Sequence, residues 1–114
     1  MLLVKTKLVI KTDFAFIRVA PNRAALVDIE DYERIAKFYW FVQHRRGVEY
    51  AVRSVGWGVK RYYVKMHRQI MHTKKGELVH HWNRIGLDNR KLNLENMNEE
   101  RHIHIHQFVI KLEK

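Results

Sequence analysis

The sequence predicts an α+β fold: small antiparallel β elements over the first two thirds, then a compact unit made of a hairpin and a closing helix. Three observations carry this expectation. The chain has 114 residues, 46% of them hydrophobic, with five Gly and one Pro, which suits one domain with its own core. Residues 8 to 65 break into short apolar or alternating runs separated by turn residues, with no internal repeat and no Pro/Gly/Ser linker. After Asn98 the pattern changes: Glu99 and Glu100 are followed by an apolar stripe of Ile105, Phe108, Val109 and Leu112, as a helix with an acid-rich first turn requires. We therefore read residues 1–114 as one domain, with a basic β-rich region over 24–75 and a C-terminal hairpin-helix unit over 76–114.

Leu8-Val9-Ile10 and Phe14 to Val19 read as extended segments, and Pro21-Asn22 turns the chain into Ala25-Leu26-Val27. Asp28, with Asp31 three positions on, resembles a capping box. The helix that follows has Tyr32, Ile35 and Ala36 on one apolar face and ends near Lys37. Phe38 to Val42 resumes as a strand. Val48, Tyr50 and Val52 alternate with Glu49, Ala51 and Arg53, and Gly56-Trp57-Gly58 turns into a second alternating run, Val59 to Lys65. This predicts a β-hairpin whose second strand has Arg61, Tyr63 and Lys65 on one face. Either that face lies along a nucleic-acid backbone or its tyrosines cover a core edge, and the second is expected for Tyr62 and Tyr63. Met66 to Met71 fits a short helix with Met66, Ile70 and Met71 inward and His67, Arg68 and Gln69 partly exposed. Leu78 to Trp82 reads as a strand, Asn83 to Gly86 as a turn and Leu87 to Asn93 as the return, with Asn98 capping the last helix.

Charge is distributed unevenly. The net +10 comes almost wholly from residues 41–75, which hold nine basic side chains and one acidic one. Residues 76–114 balance at six and six but are rich in His. A phosphate-attracting region beside a potential reaction site suits a protein that handles nucleic acid, the alternative being a generically basic surface. The candidate backbone-holding cations are Arg45, Arg46, Arg53, Lys60, Arg61, Lys65 and Arg68. With no cysteine, disulfides and thiolate zinc sites are excluded, and a metal would need His, Asp, Glu or Asn. Lys5 and Lys7 interrupt the apolar start, so neither a secretory signal nor a membrane span is expected, and the expected location is cytoplasmic.

Five of the eight histidines lie between positions 80 and 106. On a helix, His102 and His106 share a face and can chelate one ion, while His104 points away. His102-Ile103-His104-Ile105-His106 also alternates as a strand would, but the apolar run Phe108-Val109-Ile110 after Gln107 favours helix. Adjacent on a strand, His80 and His81 leave opposite faces and must do different jobs. One joins the helical pair as a third ligand; the other stands free toward substrate, where a neutral imidazole takes a proton near neutral pH. Single histidines are more often satisfied structural side chains, and for His44, His67, His72 and His104 that reading stands level with a functional one.

The segment Val79-His80-His81-Trp82-Asn83-Arg84-Ile85-Gly86-Leu87-Asp88-Asn89-Arg90-Lys91-Leu92-Asn93-Leu94 resembles the hairpin of HNH endonucleases, especially the small phage-encoded and homing-type members. The three signature positions fall on His81, Asn93 and His102, at intervals of twelve and nine, and His106 matches a further ligand position of colicin-type HNH nucleases. Upstream, Leu26 to Tyr32, Tyr50-Ala51-Val52-Arg53 and Met66 to Met71 are similar to the region that precedes this hairpin in phage HNH proteins, so the resemblance covers about residues 24 to 106.

The resemblance implies a ββα-metal motif with one divalent cation. His80, His102 and His106 are then its ligands, His81 the general base that activates water, and Asn93 the residue whose amide bonds backbone across the hairpin loop. It implies a DNA endonuclease or nicking enzyme acting on double-stranded DNA. A homodimer, or a phage or host protein, would be a further partner. Many phage relatives have Asp at the position of His80 and Asn at that of His102. The more nitrogen-rich set here suits Mn, Ni, Co or Zn, with Mg still open for catalysis. The alternatives are a DNA-binding protein on an HNH-derived scaffold that no longer cuts, and a purely structural metal-stapled module.

Overall fold

The computed structural model describes residues 13–113, with the side chains of 106 and 108–113 left aside. The expected strand at Leu8-Val9-Ile10 lies outside the described residues. The first sheet begins with β1 (Phe14–Ala20) and β2 (Arg23–Asp28), paired antiparallel about the turn at Pro21-Asn22. Alternation fixes their faces: Ile17, Val19, Ala25 and Val27 are buried while Phe14, Phe16 and Arg18 look outward. A 3-10 turn, Ile29–Asp31, leads into helix α1 (Tyr32–Ala36). Asp28 does not cap it. Its carboxylate instead accepts the backbone N–H of Lys91 at 2.9 Å, a partner 63 residues away that no local pattern could reveal.

Strand β3 (Phe41–Arg45) starts later than the expected Phe38. Residues 38–40 are irregular because Trp40 turns inward and donates its indole N–H to the carbonyl of Ile35 at 2.7 Å. Strands β4 (Val48–Val55) and β5 (Tyr62–Lys65) complete a three-stranded antiparallel sheet in the order β3-β4-β5. The second run begins at Tyr62 and not at Val59, since Gly58–Lys60 form a 3-10 turn at the hairpin tip. Helix α2 (Met66–Met71) buries Met66 and Ile70 as expected, but it also buries His67, which was expected to be partly exposed.

The C-terminal unit is built from β6 (Glu77–His81), β8 (Leu94–Asn98) and helix α3 (Glu99–Glu113), with β7 (Asp88–Asn89) between the strands. The strand that returns against β6 is thus Leu94–Asn98, not Leu87 to Asn93: Val79 faces Asn96, His80 faces Glu95 and His81 faces Leu94. The 87–93 stretch is a folded loop whose two-residue strand β7 pairs in parallel with β2, Leu26 opposite Asp88 and Val27 opposite Asn89. Helix, not strand, is adopted by the alternating histidine run, and Asn98 caps it by accepting the N–H of Arg101 at 2.7 Å.

One core joins the N-terminal sheet to the hairpin unit. Val27, Ile35, Ala51, Met66, Ile70 and Leu94 belong to a single buried cluster, and Val79 and Leu87 pack against it. Each such large aliphatic side chain contributes about 1.5–3 kcal/mol by leaving water. The domain is a small α+β fold with mostly antiparallel sheets. No helix among the described residues is long and apolar enough to cross a membrane.

Candidate metal centre and its loop

Period-two alternation on β6 separates the two neighbouring histidines, and what each meets is different. His80 faces helix α3. Its ring centroid lies 5.3 Å from that of His102, with the planes 70° apart, and 4.5 Å from Trp82 on the other side. Glu95, opposite His80 in the ladder, places a carboxylate on the same face, where it pairs with Arg101 from the first turn of α3. Two imidazoles on separate elements thus approach each other, while the Glu95 carboxylate is engaged by Arg101; a pair of imidazoles is the donor type a divalent transition metal takes. His106, the expected third nitrogen ligand, is one helical turn beyond His102, and its side chain lies outside the described residues.

His81 turns the other way, into the domain. It is 8% exposed, so the expectation of a ring standing free toward substrate is corrected. Its Nε2 is 3.0 Å from Oδ1 of Asn89, and its ring is 5.0 Å from His67 and 5.8 Å from Tyr50. The inward turn follows from register: β8 places Leu94 opposite His81, and Leu94 belongs to the core. Burial holds His81 below the usual histidine range, against contrary effects of Asn89, Asp88 and the backbone at Gly86. It is therefore neutral near pH 7, as a base must be, and its Nε2 donates to the amide oxygen of Asn89, so that nitrogen carries the ring proton.

Asn93 ties the loop shut. Its Nδ2 donates to the carbonyl of Asp88 at 2.9 Å, its Oδ1 accepts the N–H of Asn83 at 2.8 Å, and its own carbonyl accepts the N–H of Trp82 at 2.9 Å. Asp88 holds the same loop through its carboxylate, which accepts from Asn83 Nδ2 at 2.7 Å and from Arg90 Nε and a terminal guanidinium nitrogen at 2.8 and 2.7 Å. The Arg90 guanidinium keeps that carboxyl below the usual carboxylate range.

Of the seven cations expected to hold DNA, Arg45, Arg46, Lys60 and Arg61 are exposed. Two have internal work. Arg53 donates Nε to Gln69 at 2.9 Å and lies 4.0 Å from the Phe38 ring, and Arg68 donates to the carbonyls of Glu77 at 2.6 Å and Lys74 at 3.1 Å. They fix α2 to β4 and β6. Lys65 is half-buried, and burial followed by Arg45 and Arg68 pushes its pKa down.

Among the described residues, the one group of three ligand side chains with donor atoms at metal-binding spacing is Asp28, Glu30 and Asp31, but the ammonium of Lys91 already lies 3.0 Å from Glu30 and 3.2 Å from Asp31. It is read as an ion-pair clasp between β2 and the loop. His67 and Asn89, the neighbours of His81, escaped the sequence reading because only tertiary pairing brings positions 67, 81 and 89 together. The buried Nδ1 of His67 and Nδ2 of Asn89 have no hydrogen-bond partner among the described residues, which marks this interior site as polar and incompletely satisfied there. No protein-family model, curated protein or solved structure matches the chain.

Proposed function

We propose that the chain is a metal-dependent phosphodiester hydrolase of HNH type, a DNA endonuclease or nickase. The observation that carries this reading is the meeting of His80 and His102 from a strand and a helix joined by the β6–β8 hairpin. A loop held by Asn93 and a neutral histidine on the adjacent residue support it. His80 and His102, with His106, would hold one divalent ion, Mg, Mn, Ni, Co or Zn. Such an ion supplies Lewis acidity at the scissile phosphate and stabilises the departing 3′ oxygen. His81 would take the proton of the attacking water once Asn89 swings off Nε2 and the ring proton moves to Nδ1, a contribution of about 10²- to 10⁴-fold. Arg45, Arg46, Lys60 and Arg61 would hold the DNA backbone by phosphate contacts.

One observation favours a second reading. Because Asn89 and the surrounding rings enclose His81, a DNA-binding protein that has lost cleavage would keep this arrangement equally well. Supercoiled plasmid separates the two. Nicked or linear product with one of the divalent ions, none with EDTA, and loss of product in His81→Ala, His80→Ala and His102→Ala supports the hydrolase. Absence of product with every ion tested supports the non-cutting reading.

A further inference from the structure

One end of the β3–β4–β5 sheet carries large apolar side chains that stand in water. Trp57 is 89% exposed and Tyr39 83%, and Val59, Tyr62 and Tyr63 are exposed as well, contrary to the expectation that Tyr62 and Tyr63 cover a core edge. Register and ring contacts bring Tyr39, Phe41 and Tyr63 to one face of this end, with Tyr62 on the opposite face and Trp57 and Val59 in the tip. β3 begins at Phe41 opposite Val52, β4 ends at Val55 opposite Tyr62, and residues 56–61 close the tip between them. Phe41 meets Tyr63 edge-on at 5.8 Å and Tyr39 at 6.4 Å, so the rings form a short stripe across the sheet.

The tip is a built turn. Gly56 has φ +88, and a Cβ there would lie 2.9 Å from the carbonyl oxygen of Lys60. Lys60 donates its N–H to Trp57 at 3.0 Å and Arg61 to Gly58 at 3.1 Å. These bonds hold the indole out from the fold, with Lys60 and Arg61 beside it. Large apolar side chains exposed together at one end of a sheet are a candidate interaction surface.

Charge and shape select the occupant. No Asp or Glu occurs between Glu49 and Glu77, so the patch and its surroundings attract an anion. A second copy of the chain would oppose Lys60 and Arg61 to themselves. A lipid surface also takes Trp and Tyr rings beside cations at its headgroups, and the vesicle arm of the test separates it from nucleic acid. Duplex DNA hides its base faces by internal stacking and offers flat exposed rings little to cover. Unpaired bases offer a π-face to each ring and a phosphate to each cation.

We infer that this end of the sheet binds single-stranded nucleic acid, with Trp57, Tyr39 and Tyr63 stacking on unpaired bases and Lys60 and Arg61 meeting the phosphates between them. Binding here needs neither the metal centre nor His81. The inference goes beyond the hydrolase reading; the two share Lys60 and Arg61, and the rings of Trp57 and Tyr39, which the hydrolase reading does not use, distinguish them.

The test is fluorescence anisotropy of the full chain with a labelled short oligothymidine and with a duplex of equal length, both in EDTA so that no cleavage occurs. The single strand binds more tightly. Trp57→Ala weakens it by about 5- to 150-fold, the range of one lost base stack, while duplex binding changes by less than about twofold. Trp57→Phe keeps most of the affinity. Circular dichroism confirms the fold of each variant, and Tyr39→Ala carries the same test should Trp57→Ala not fold. Unchanged single-strand binding in these variants would overturn the inference. So would an equal loss with duplex, Trp57-dependent binding to anionic vesicles in place of oligonucleotide, or a dimer that Trp57→Ala dissociates.

Discussion

Replacing Asn93 with Ala removes two hydrogen bonds that close the loop between β6 and β8, and the cost follows from what each leaves behind. The carbonyl of Asp88 loses the 2.9 Å bond from Nδ2 in a buried setting, where an unsatisfied acceptor costs about 1–3 kcal/mol. The N–H of Asn83 loses its 2.8 Å bond to Oδ1, but that residue is exposed, so water replaces the partner and the loss is about 0.5–1.5 kcal/mol. Together they destabilise the fold by about 2–4 kcal/mol, a large share of the roughly 5–15 kcal/mol typical of a domain. At about 4 °C per kcal/mol for a chain of this size, Tm falls by about 8–16 °C. Urea titration followed by circular dichroism reads the change. Asn93→Asp should be no better, since it keeps the acceptor for Asn83 but loses the donor to Asp88. Leu92→Ala, next door with an exposed side chain, should stay within about 0.5 kcal/mol. An Asn93→Ala protein as stable as Leu92→Ala would refute the loop-clamp reasoning.

Four further outcomes follow, three from the structure and one from the proposed function. Gly86→Ala places a Cβ 2.2 Å from the carbonyl oxygen of Glu49 and 2.8 Å from the Tyr50 ring, so urea titration should find a loss of about 2–3 kcal/mol. His67 is pushed down to about 3, first by burial and then by His81, Lys65 and Arg68. Its unfolded form binds a proton that the folded form refuses. Stability from this residue is therefore complete above the ordinary histidine range and falls as pH drops toward 3, by up to about 1.4 kcal/mol per pH unit. Urea titrations across that range should show a flatter acid slope in His67→Leu than in the wild type. Arg53→Ala should lower stability by about 1–2 kcal/mol, through the lost Gln69 bond and Phe38 stack. Arg46→Ala should leave stability unchanged but reduce the salt slope of DNA binding by about one.

Much of the local structure was legible because local chemistry sets it. Alternation located β1, β2 and β4, the apolar spacing of Met66, Ile70 and Met71 located α2, and Asn98 caps the final helix as its position implied. Features decided by distant partners were hidden. Asp28 has the sequence context of a helix cap, yet Lys91 claims its carboxylate. Residues 87–93 look like a returning strand, but the bonds of Asp88 and Asn93 fold them into a loop and β2 takes β7 as its partner. Spacing correctly separated the faces of His80 and His81. It gave no sign that the His81 face would be closed by Asn89, His67 and Tyr50, since only tertiary packing assembles that pocket. Arg53 and Arg68 are indistinguishable from surface cations in sequence; their partners, Phe38, Gln69 and the Glu77 carbonyl, come from other elements.

The account turns on His80 and His102 acting as one chelating unit, and calorimetric titration with Ni or Zn tests that without requiring turnover. The expected result is one ion per wild-type chain, with at least about tenfold weaker binding in both His80→Ala and His102→Ala. An ion bound equally tightly by both variants, or none bound by the wild type, would contradict the proposed centre.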